Sequence, residues 1–551
     1  MSTMKTPGVY VVEKNAFPNS VVEAATAVPA FIGYTKFAKD GNKSLLNKPW
    51  KISSMAEFIQ YFGGPPVPKF SITKEEKDDK KPADAAATET ADAGDDKAAE
   101  KPQPVTSVLK INDINYTIQR TDKYNFYYQM RFFFANGGGS CYIVSVGEGY
   151  DDNGLDEAKL TEGIATLLKE QEPTMVLVPE AVYLDSVDKC SNVQVAALRH
   201  CGYDMKNRVA IFDVFEGFRE GKKIVTDFQE KILTEFLNYG AAYYPWMNTS
   251  IVSDTELDFQ NIEDDSKTIL KEILAPQGAA ADAKDTEPNP LQEFIDCAVK
   301  GAAKATDTAA GDAAATDDKD PKAATQKVPT QLDMETAHKV LSRHSSAYSE
   351  IMREMLLIIN MLPPSTAMAG IYTLVDSTKE VWKAPANIGI ANVISPTFSI
   401  SHADQEDLNV PMNGKAVNAI RYFVGEGVKV WGARTLDGNS LDWRYINVRR
   451  TMIMLEESIK NATKAYVFEP NVANTWVSVK SMITNFLNGI WKRGGLAGAS
   501  PEDAFSVHIG LGDTMTPEDI LEGIMRITIL VAISRPAEFI EITFQQQMQK
   551  S

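Results

Sequence analysis

Three apolar stretches decide the fold of the central part of this chain: SCYIVSV at residues 140–146, TMVLVP at 174–179 and RVAIFDV at 208–214. Each is short, rich in β-branched residues and almost free of polar alternation. This pattern is typical of strands that are buried on both faces because helices cover the sheet on each side. The three stretches therefore predict strands of one buried sheet.

The segments between these strands have the length and spacing of helices. Residues 155–169 and 192–201 separate the three strands, and residues 227–237 precede a fourth apolar stretch, GAAYYPW, at 240–246. Strands that alternate with helices in this way favour a largely parallel α/β sheet. A longer helical pattern spans residues 332–361 and ends before two consecutive prolines.

Length and composition limit the classes of function. The chain has 551 residues, 44% of them hydrophobic, enough for roughly two to four domains. Its formal net charge of -18 argues against a nucleic-acid binder, because phosphate neutralisation requires clustered Lys and Arg. The longest apolar run, at residues 355–362, is too short to cross a bilayer, and the opening MSTMKTPGVY lacks a signal-peptide pattern. We therefore expect assembly in the bacterial cytoplasm without direct membrane insertion.

Two low-complexity segments interrupt the pattern, at residues 74–104 and 278–330. Both are mixtures of Ala, Asp and Lys with few large apolar side chains, so burial cannot offset the entropy of ordering them. We expect flexible surface insertions, or at best frayed helices.

The loops after the strands lack a nucleotide-binding pattern. GEGYDDNG at residues 147–154 has no third glycine at the required spacing, and its Asp151 and Asp152 would repel phosphate, so we interpret them as helix caps. NGGGS at 136–140 precedes a strand, whereas a phosphate loop follows one. A tight turn with positive φ is the favoured interpretation there.

Other candidates for chemistry are equally weak. Glu180 and Asp213 lie at strand ends and could hold a metal, but no partner spacing accompanies them, which favours solvated caps and loop carboxylates. The adjacent His200 and Cys201 are better explained as packed helix residues than as a dyad. No metalloprotease motif, nucleophile elbow or paired CxxC occurs. We predict no catalytic, cofactor-binding or metal-binding residues, and hence a structural role.

Both ends of the chain carry short strand patterns. The first comprises Val9, Tyr10, Val11 and Val12. The second spans residues 538–544. In an extended strand, Ile540, Ile542 and Phe544 lie on one face and Phe539 lies on the other. Proline-containing segments connect both strands to the rest of the chain, which discourages regular structure at the junctions.

Several motifs, taken together, resemble those of contractile tail sheath proteins, especially the single-chain sheaths of phage-tail-like extracellular injection systems. They occur in the family's order and cover most of the chain outside the insertions: TPGVYVVEKNAFPNSVVEAATAVPAFIGYT (6–35), RFFFANGGGSCYIVSV (131–146), PTMVLVPEAV (173–182), LRHCGYDMKNRVAIFDV (198–214), AAYYPWM (241–247), PPSTAMAGIY (363–372), VWKAPAN (381–387), GVKVWGARTL (427–436), WRYINVRRTMIMLEESIK (443–460) and RPAEFIEITFQQQ (535–547).

The resemblance implies a function without catalysis. Sheath proteins of this family stack as six-membered rings around an inner tube, and the sheath shortens to drive the tube through a target envelope. The implied partners are other sheath subunits, the tube protein, and baseplate and terminal cap proteins. The resemblance also implies a location for the protein, namely a particle that is released extracellularly or anchored in the cell. Neither a cofactor nor nucleic acid is implied.

Family members also exchange terminal strands, so we expect the two terminal strands to complete sheets in neighbouring subunits rather than in their own. Pairing within one subunit is the alternative. The resemblance also implies that the compact C-terminal region at residues 441–534, the inner domain, faces the tube. Lys480, Lys492 and Arg493 are candidates for contact with an acidic tube surface. Favourable charges at a helix C-terminus explain these residues equally well.

The predicted fold combines α/β and α+β domains. Its segments are an N-terminal strand-exchange arm (1–20), the start of the sheath core (21–73), an insertion (74–104), an α/β middle domain (105–277), a second insertion (278–330), the return of the core (331–440), a compact α+β inner domain that faces the tube (441–534) and a C-terminal strand-exchange arm (535–551). Two other functions stay open: a baseplate or tail-terminator relative, and a soluble α/β enzyme with a cryptic site.

Overall fold

The predicted strands at residues 140–146, 174–179 and 208–214 are three of the parallel strands of a nine-stranded sheet. A computed structural model describes residues 21–75, 104–150, 154–274, 291–300 and 331–542. The strands in these ranges are β1 (Pro29–Thr35), β2 (Lys39–Asp40), β3 (Lys43–Ser44), β4 (Trp50–Ile52), β5 (Phe70–Lys74), β6 (Thr106–Ile111), β7 (Ile114–Arg120), β8 (Cys141–Glu148), β9 (Met175–Leu177), β10 (Val209–Asp213), β11 (Gly240–Tyr244), β12 (Met247–Thr249), β13 (Met361–Leu362), β14 (Ile388–Gly389), β15 (Val393–Pro396), β16 (Asn418–Phe423), β17 (Gly427–Val430), β18 (Phe505–His508) and β19 (Thr528–Val531).

Helices cover this framework. They are α1 (Met55–Phe62), α2 (Phe126–Ala135), α3 (Glu157–Thr166), α4 (Val187–Arg199), α5 (Lys222–Lys231), α6 (Lys267–Leu274), α7 (Gln292–Lys300), α8 (Gln331–His344), α9 (Ser346–Ile359), α10 (Ser365–Lys379), α11 (His402–Asn409), α12 (Ile446–Thr463), α13 (Ala473–Lys492), α14 (Pro501–Ala504) and α15 (Pro517–Leu521).

The strand order of the large sheet is β14-β17-β16-β11-β10-β9-β1-β8-β4. The six strands from β16 to β8 pair in parallel, and the strands at the two edges are antiparallel. The prediction of a largely parallel α/β sheet is therefore confirmed. The sheet is wider than the predicted middle domain, because β1 and β16 come from segments on either side of it.

Alternate residues of the central strands build two cores on opposite faces of the sheet. In β1, Phe31 belongs to the core that includes residues of α2, α9 and α10, whereas Ala30 and Ile32 belong to the core that includes residues of α3, α4 and α5. A covered sheet of this kind explains why the strand sequences lack polar alternation.

A third core lies in the C-terminal part of the chain. It joins the second half of α12 to α13, β18 and β19, with Met454, Ile483 and Val507 among its buried residues. The first half of α12 contributes Ile446 and Ile453 to the core on the α2 side of the sheet. Helix α12 therefore connects the large sheet to the C-terminal unit.

Three predicted helices have different bounds. The helix predicted at 192–201 begins earlier, at Val187, and ends at Arg199. The pattern at residues 332–361 forms two helices, because Ser345 interrupts it and caps α9 by accepting a hydrogen bond from the Tyr348 amide. The helix predicted at 227–237 begins earlier, after Gly221, and ends at Lys231. Apolar spacing locates helices better than their ends, which local capping decides.

Part of the second predicted insertion is an ordinary packed helix. Helix α7 lies within residues 278–330 and buries Ile295 and Ala298 in a core of the large sheet. The prediction of a flexible or frayed segment is wrong there, because averaging the composition hid the apolar residues that share one face of the helix. The rest of the two insertions, apart from their flanking residues, lies outside the described ranges.

Candidate assembly site at the roots of the two arms

The two carboxylates at strand ends are buried helix caps rather than solvated loop residues. Glu180 accepts hydrogen bonds from the amides of Tyr34, Asn125 and Phe126 at 2.8, 2.9 and 3.1 Å. Asp213 accepts from the amide and hydroxyl of Ser365 at 2.7 and 2.5 Å. Burial raises the pKa of each carboxyl to about 7. Their hydrogen-bonding role is to hold the first turns of α2 and α10.

The remaining candidates for chemistry have structural explanations. Gly137 has a φ of 91°, as expected for the predicted tight turn before β8. His200 and Cys201 are buried at the end of α4, and burial lowers the pKa of His200 to about 4. Asp151 and Asp152 lie outside the described residues. Within the described ranges, no group of three or more His, Cys, Asp and Glu residues is arranged to hold a metal ion.

The C-terminal arm is fixed to the body at Glu538. Arg434 donates to both carboxylate oxygens of Glu538, from Nε to Oε1 at 2.9 Å and from Nη2 to Oε2 at 2.6 Å. Tyr445 Oη and Asn409 Nδ2 add hydrogen bonds of 2.9 and 3.1 Å. The Arg434 side chain is only 2% exposed. A bidentate pair with this burial gives the chain a defined point of departure.

The described residues after Glu538 leave the body. Phe539, Ile540 and Ile542 are 74, 79 and 68% exposed. The predicted strand is not formed here: residues 538–542 pair with no strand of the described chain. The physical reason is that a strand needs a neighbouring strand for its backbone hydrogen bonds. Phe544 and the four residues from Val9 to Val12 lie outside the described ranges.

The N-terminal arm also has a fixed root, at residues 21–28. The Ala24 amide donates to Ser458 Oγ at 2.9 Å, and Arg450 Nη2 donates to the Thr26 carbonyl oxygen at 2.9 Å. The Val28 amide donates to Thr174 Oγ1, beside the start of β9. The root therefore runs between α12 and the large sheet.

Arg450 is the centre of this junction. Its guanidinium bonds both oxygens of Asp376 on α10, at 3.0 and 2.5 Å, and lies 4.7 Å from the centre of the Tyr372 ring. Asp376 and Arg450 are each 4% exposed. One side chain of α12 thus ties the N-terminal root and α10 together.

A two-stranded sheet precedes the C-terminal root in the chain, since β19 ends at Val531. Strands β18 and β19 pair only with each other among the described residues, antiparallel from Phe505 opposite Val531 to His508 opposite Thr528. Leu530 of β19 is exposed. Residues 505–508 and 528–531 therefore present strand edges that no third strand covers in the described part of the chain.

The three residues predicted to face the tube differ in their surroundings. Arg493 forms ion pairs with Glu23 of the N-terminal root and with Glu380. Lys480 and Lys492 are exposed on and at the end of α13, without a hydrogen bond or ion pair to described residues. The structure gives Arg493 a role within the subunit and leaves the two lysines available.

The sequence did not indicate the residues that anchor the arms. Glu538 and its partner Arg434 are 104 positions apart, and Arg450 and Asp376 are 74 apart. The only available signal was a charged residue inside otherwise apolar segments, such as Glu538 before Phe539. No periodicity pairs such residues across the chain.

Comparisons with known proteins agree with this architecture. Residues 439–547 match the phage tail sheath C-terminal domain family. The tail sheath protein of Enterobacteria phage T4 is 28% identical over 138 residues, a segment that spans 24% of this chain and 20% of the phage protein. The match therefore covers about a fifth of that relative's length. No helix in the described ranges is long and apolar enough to span a membrane.

Two solved structures are similar over nearly the whole chain. The sheath complex of the PVC extracellular contractile injection system in its contracted state has a TM-score of 0.53 at 23% identity, covering 99% of both chains. The helical sheath of the anti-feeding prophage in its contracted state has a TM-score of 0.54 at 23% identity, covering 99% of this chain and 100% of that one. The chain is therefore similar to contractile tail sheath proteins: it shares the fold of these two sheath structures, and residues 439–547 match the C-terminal domain family of phage tail sheaths.

Proposed function

We propose that this protein is a sheath subunit that polymerises into stacked hexameric rings around an inner tube and contracts to drive the tube through a target envelope. The observation that carries the proposal is the C-terminal arm: a buried anchor at Glu538 followed by exposed apolar residues. A strand pattern without a partner among the described residues of its own chain is suited to pairing with a second copy.

The proposed contact is strand exchange. Residues Val9–Val12 and 538–544 would add to the uncovered edges of β18 and β19 in neighbouring subunits. Backbone hydrogen bonds would supply the affinity and the alternating side chains the register. Each bond contributes roughly 0.5 to 1.5 kcal/mol net, so one arm binds weakly, whereas many linked subunits hold together. Fixed roots would keep neighbours connected while the bodies rotate.

Removing residues 539–551 tests the C-terminal arm. This truncation retains Glu538, so the Arg434 pair survives and the subunit should fold normally. We expect soluble subunits that form no long sheaths by negative-stain electron microscopy, whereas the intact chain forms striated hollow cylinders. Removal of residues 1–13 should have the same effect, because both exchanged strands are needed for a continuous lattice.

A matched pair of substitutions separates strand pairing from mere loss of chain length. Ile540→Asp with Ile542→Asp alters the predicted apolar face and should block assembly, whereas Glu541→Gln, on the other face, should not. Long sheaths from the truncated chain would contradict strand exchange. If the intact chain forms rings that stop growing, it is a baseplate or terminator relative instead. A monodisperse monomer stabilised by a small ligand would favour a cryptic enzyme.

Lys480 and Lys492 are proposed to contact the inner tube. Reversing both charges (Lys480→Glu, Lys492→Glu) should reduce tube-dependent sheath assembly by about tenfold or more, because attraction to an acidic surface becomes repulsion. Lys464→Glu, at an exposed lysine just after α12, is the control. Sedimentation of sheath with and without purified tube measures the effect. Unchanged assembly of the double variant would assign both lysines to helix termination alone.

The proposed partners are other copies of this chain, the tube protein, and baseplate and terminal cap proteins. Assembly is proposed to occur in the cytoplasm before the particle is released or anchored. The role is structural, since the contacts that carry it are ion pairs and strand edges rather than a reactive site.

A further inference from the structure

An apolar groove lies beside the root of the C-terminal arm. It has a volume of about 660 Å³ and lies between α5, α11 and the loop that follows α11. Its lining includes the apolar side chains of Val225, Tyr244, Phe398, Ile400, Leu408 and Met412. A site of this size and character removes apolar surface from water when a segment fills it.

The arm leaves the body at the wall of this groove. Asn409 donates to Glu538 through its side chain and accepts from Arg434 through its carbonyl oxygen, at 3.1 and 2.8 Å. The residues on either side of Asn409 in sequence, Leu408 and Val410, both line the groove. The arm therefore begins, at Phe539, next to the segment of the chain that lines the groove.

Two exposed apolar surfaces face water at this place. One is formed by Phe539, Ile540 and Ile542 of the arm, and the other by Val410 and the fully exposed Met412 at the groove. Exposed apolar strand patterns are an aggregation hazard in an unassembled subunit. A segment that follows Ile542 and fills the groove would remove the apolar side chains of the groove from water.

We propose that residues 543–551 of the same chain, whose large apolar side chains are Phe544 and Met548, occupy this groove in the unassembled subunit and leave it when the subunit joins a sheath. This inference rests on the proposed function, since it concerns the arm that takes part in strand exchange. The thirteen residues after Glu538 reach about 40 Å in extended form, so residues 543–551 can fill the groove from that anchor.

Charge agrees with this occupant. The groove carries Glu220, Asp404 and Asp407 against a single lysine, Lys222, which pairs with Asp407. Lys550 is the only charged residue in 543–551. The end of the segment would therefore bring a positive charge toward an acidic rim.

The consequence is control over when subunits polymerise. A docked arm is unavailable to a neighbour, so the population competent to assemble is reduced by the docked fraction. If nine in ten arms are docked, release raises the competent population about tenfold. Contact with a growing end, where the uncovered strand edges are concentrated, would favour the released state.

Cross-linking in the full chain tests the docking. Met412→Cys and Gln546→Cys are introduced together with Cys297→Ser, because the other three cysteines are buried. A short bismaleimide reagent should link the two new cysteines within one chain at low protein concentration. The control pairs Gln546→Cys with Val108→Cys, an exposed position on β6, and should link at least about tenfold more slowly.

A second variant keeps the proposal falsifiable. Val410→Asp with Met412→Asp changes only exposed side chains, so folding should survive while the groove rejects the arm. We expect the lag before sheath formation to shorten about tenfold. An unchanged lag, the absence of a fast intramolecular link, or a link between two chains would each overturn the proposal. Strand exchange is tested separately, since only truncation after Glu538 removes the exchanged strand.

Discussion

Asp376→Ala is expected to lower the free energy of unfolding by about 3 to 5 kcal/mol, the cost of breaking a buried ion pair by removing one partner. Arg450 would keep its charge in a site where both partners are 4% exposed. Its remaining contacts, the Thr26 carbonyl oxygen and the Tyr372 ring, cannot neutralise that charge. The urea transition of the unassembled subunit, followed by tryptophan fluorescence, measures the effect.

An exposed ion pair supplies the control. Asp185 is 57% exposed and pairs with two lysines on the surface, Lys123 and Lys189, so Asp185→Ala should cost no more than about 1 kcal/mol. A cost for Asp376→Ala that is as small as that of the control would show that the junction relaxes. In that case Arg450 would not be needed to hold α10 and the N-terminal root together.

The same substitution should also affect assembly at temperatures where the subunit stays folded. Arg450 is the shared contact of α12, α10 and the chain at Thr26, so its release would leave the N-terminal root held by fewer bonds. An arm that departs from a poorly fixed root loses more entropy on pairing with a neighbour. We therefore expect shorter sheaths from Asp376→Ala than from Asp185→Ala.

The sequence predicted the large sheet well because its evidence is local. The three central stretches become β8, β9 and β10 with similar bounds, since continuous apolar runs directly reflect burial on both faces. The three-stranded sheet of β5, β7 and β6 was missed. Strands β5 and β6 lie on either side of the insertion at residues 74–104. Because the insertion separates them in sequence, no local pattern indicates that both pair with β7.

The candidate site was only half predictable. The apolar residues Phe539, Ile540 and Ile542 were recognised from the short strand pattern EFIEI at residues 538–542. The anchor that makes them an arm depends on Arg434, which belongs to a distant loop and meets Glu538 only in the folded chain. The ion pair of Arg493 with Glu23 is likewise a long-range contact, and because the Arg493 side chain stays 40% exposed, its contact with a tube remains a prediction.

The second large effect concerns pH, through Asp213. Burial raises the pKa of this carboxyl to about 7 in the folded chain, whereas an unfolded chain has an ordinary value near 3.9. Between those two values the folded state binds the extra proton, so the contribution of Asp213 to stability falls as pH rises. From pH 5 to pH 8 the loss is on the order of 3 kcal/mol.

Two other buried groups titrate over overlapping ranges. Glu180 has the same sign, because its pKa is also raised to about 7. His200 has the opposite sign: its pKa is lowered to about 4, so its contribution to stability rises with pH between that value and the ordinary histidine value. Further carboxyl groups, among them Glu456 with a pKa raised by burial, also contribute. A comparison of variants is therefore needed to isolate Asp213.

Asp213→Asn is the suitable variant because its neighbours can adapt. The amide oxygen can keep the bond from the Ser365 backbone, and the amide nitrogen can donate to the Ser365 hydroxyl, which then accepts rather than donates. Glu180 and His200 are unchanged in both proteins, so their contributions cancel in the difference. The stability of the variant relative to the intact protein should increase by about 2 to 3 kcal/mol between pH 5 and pH 8. A difference that does not change with pH would mean that Asp213 is ionised throughout this range, held by Ser365 and the first turn of α10 despite its burial.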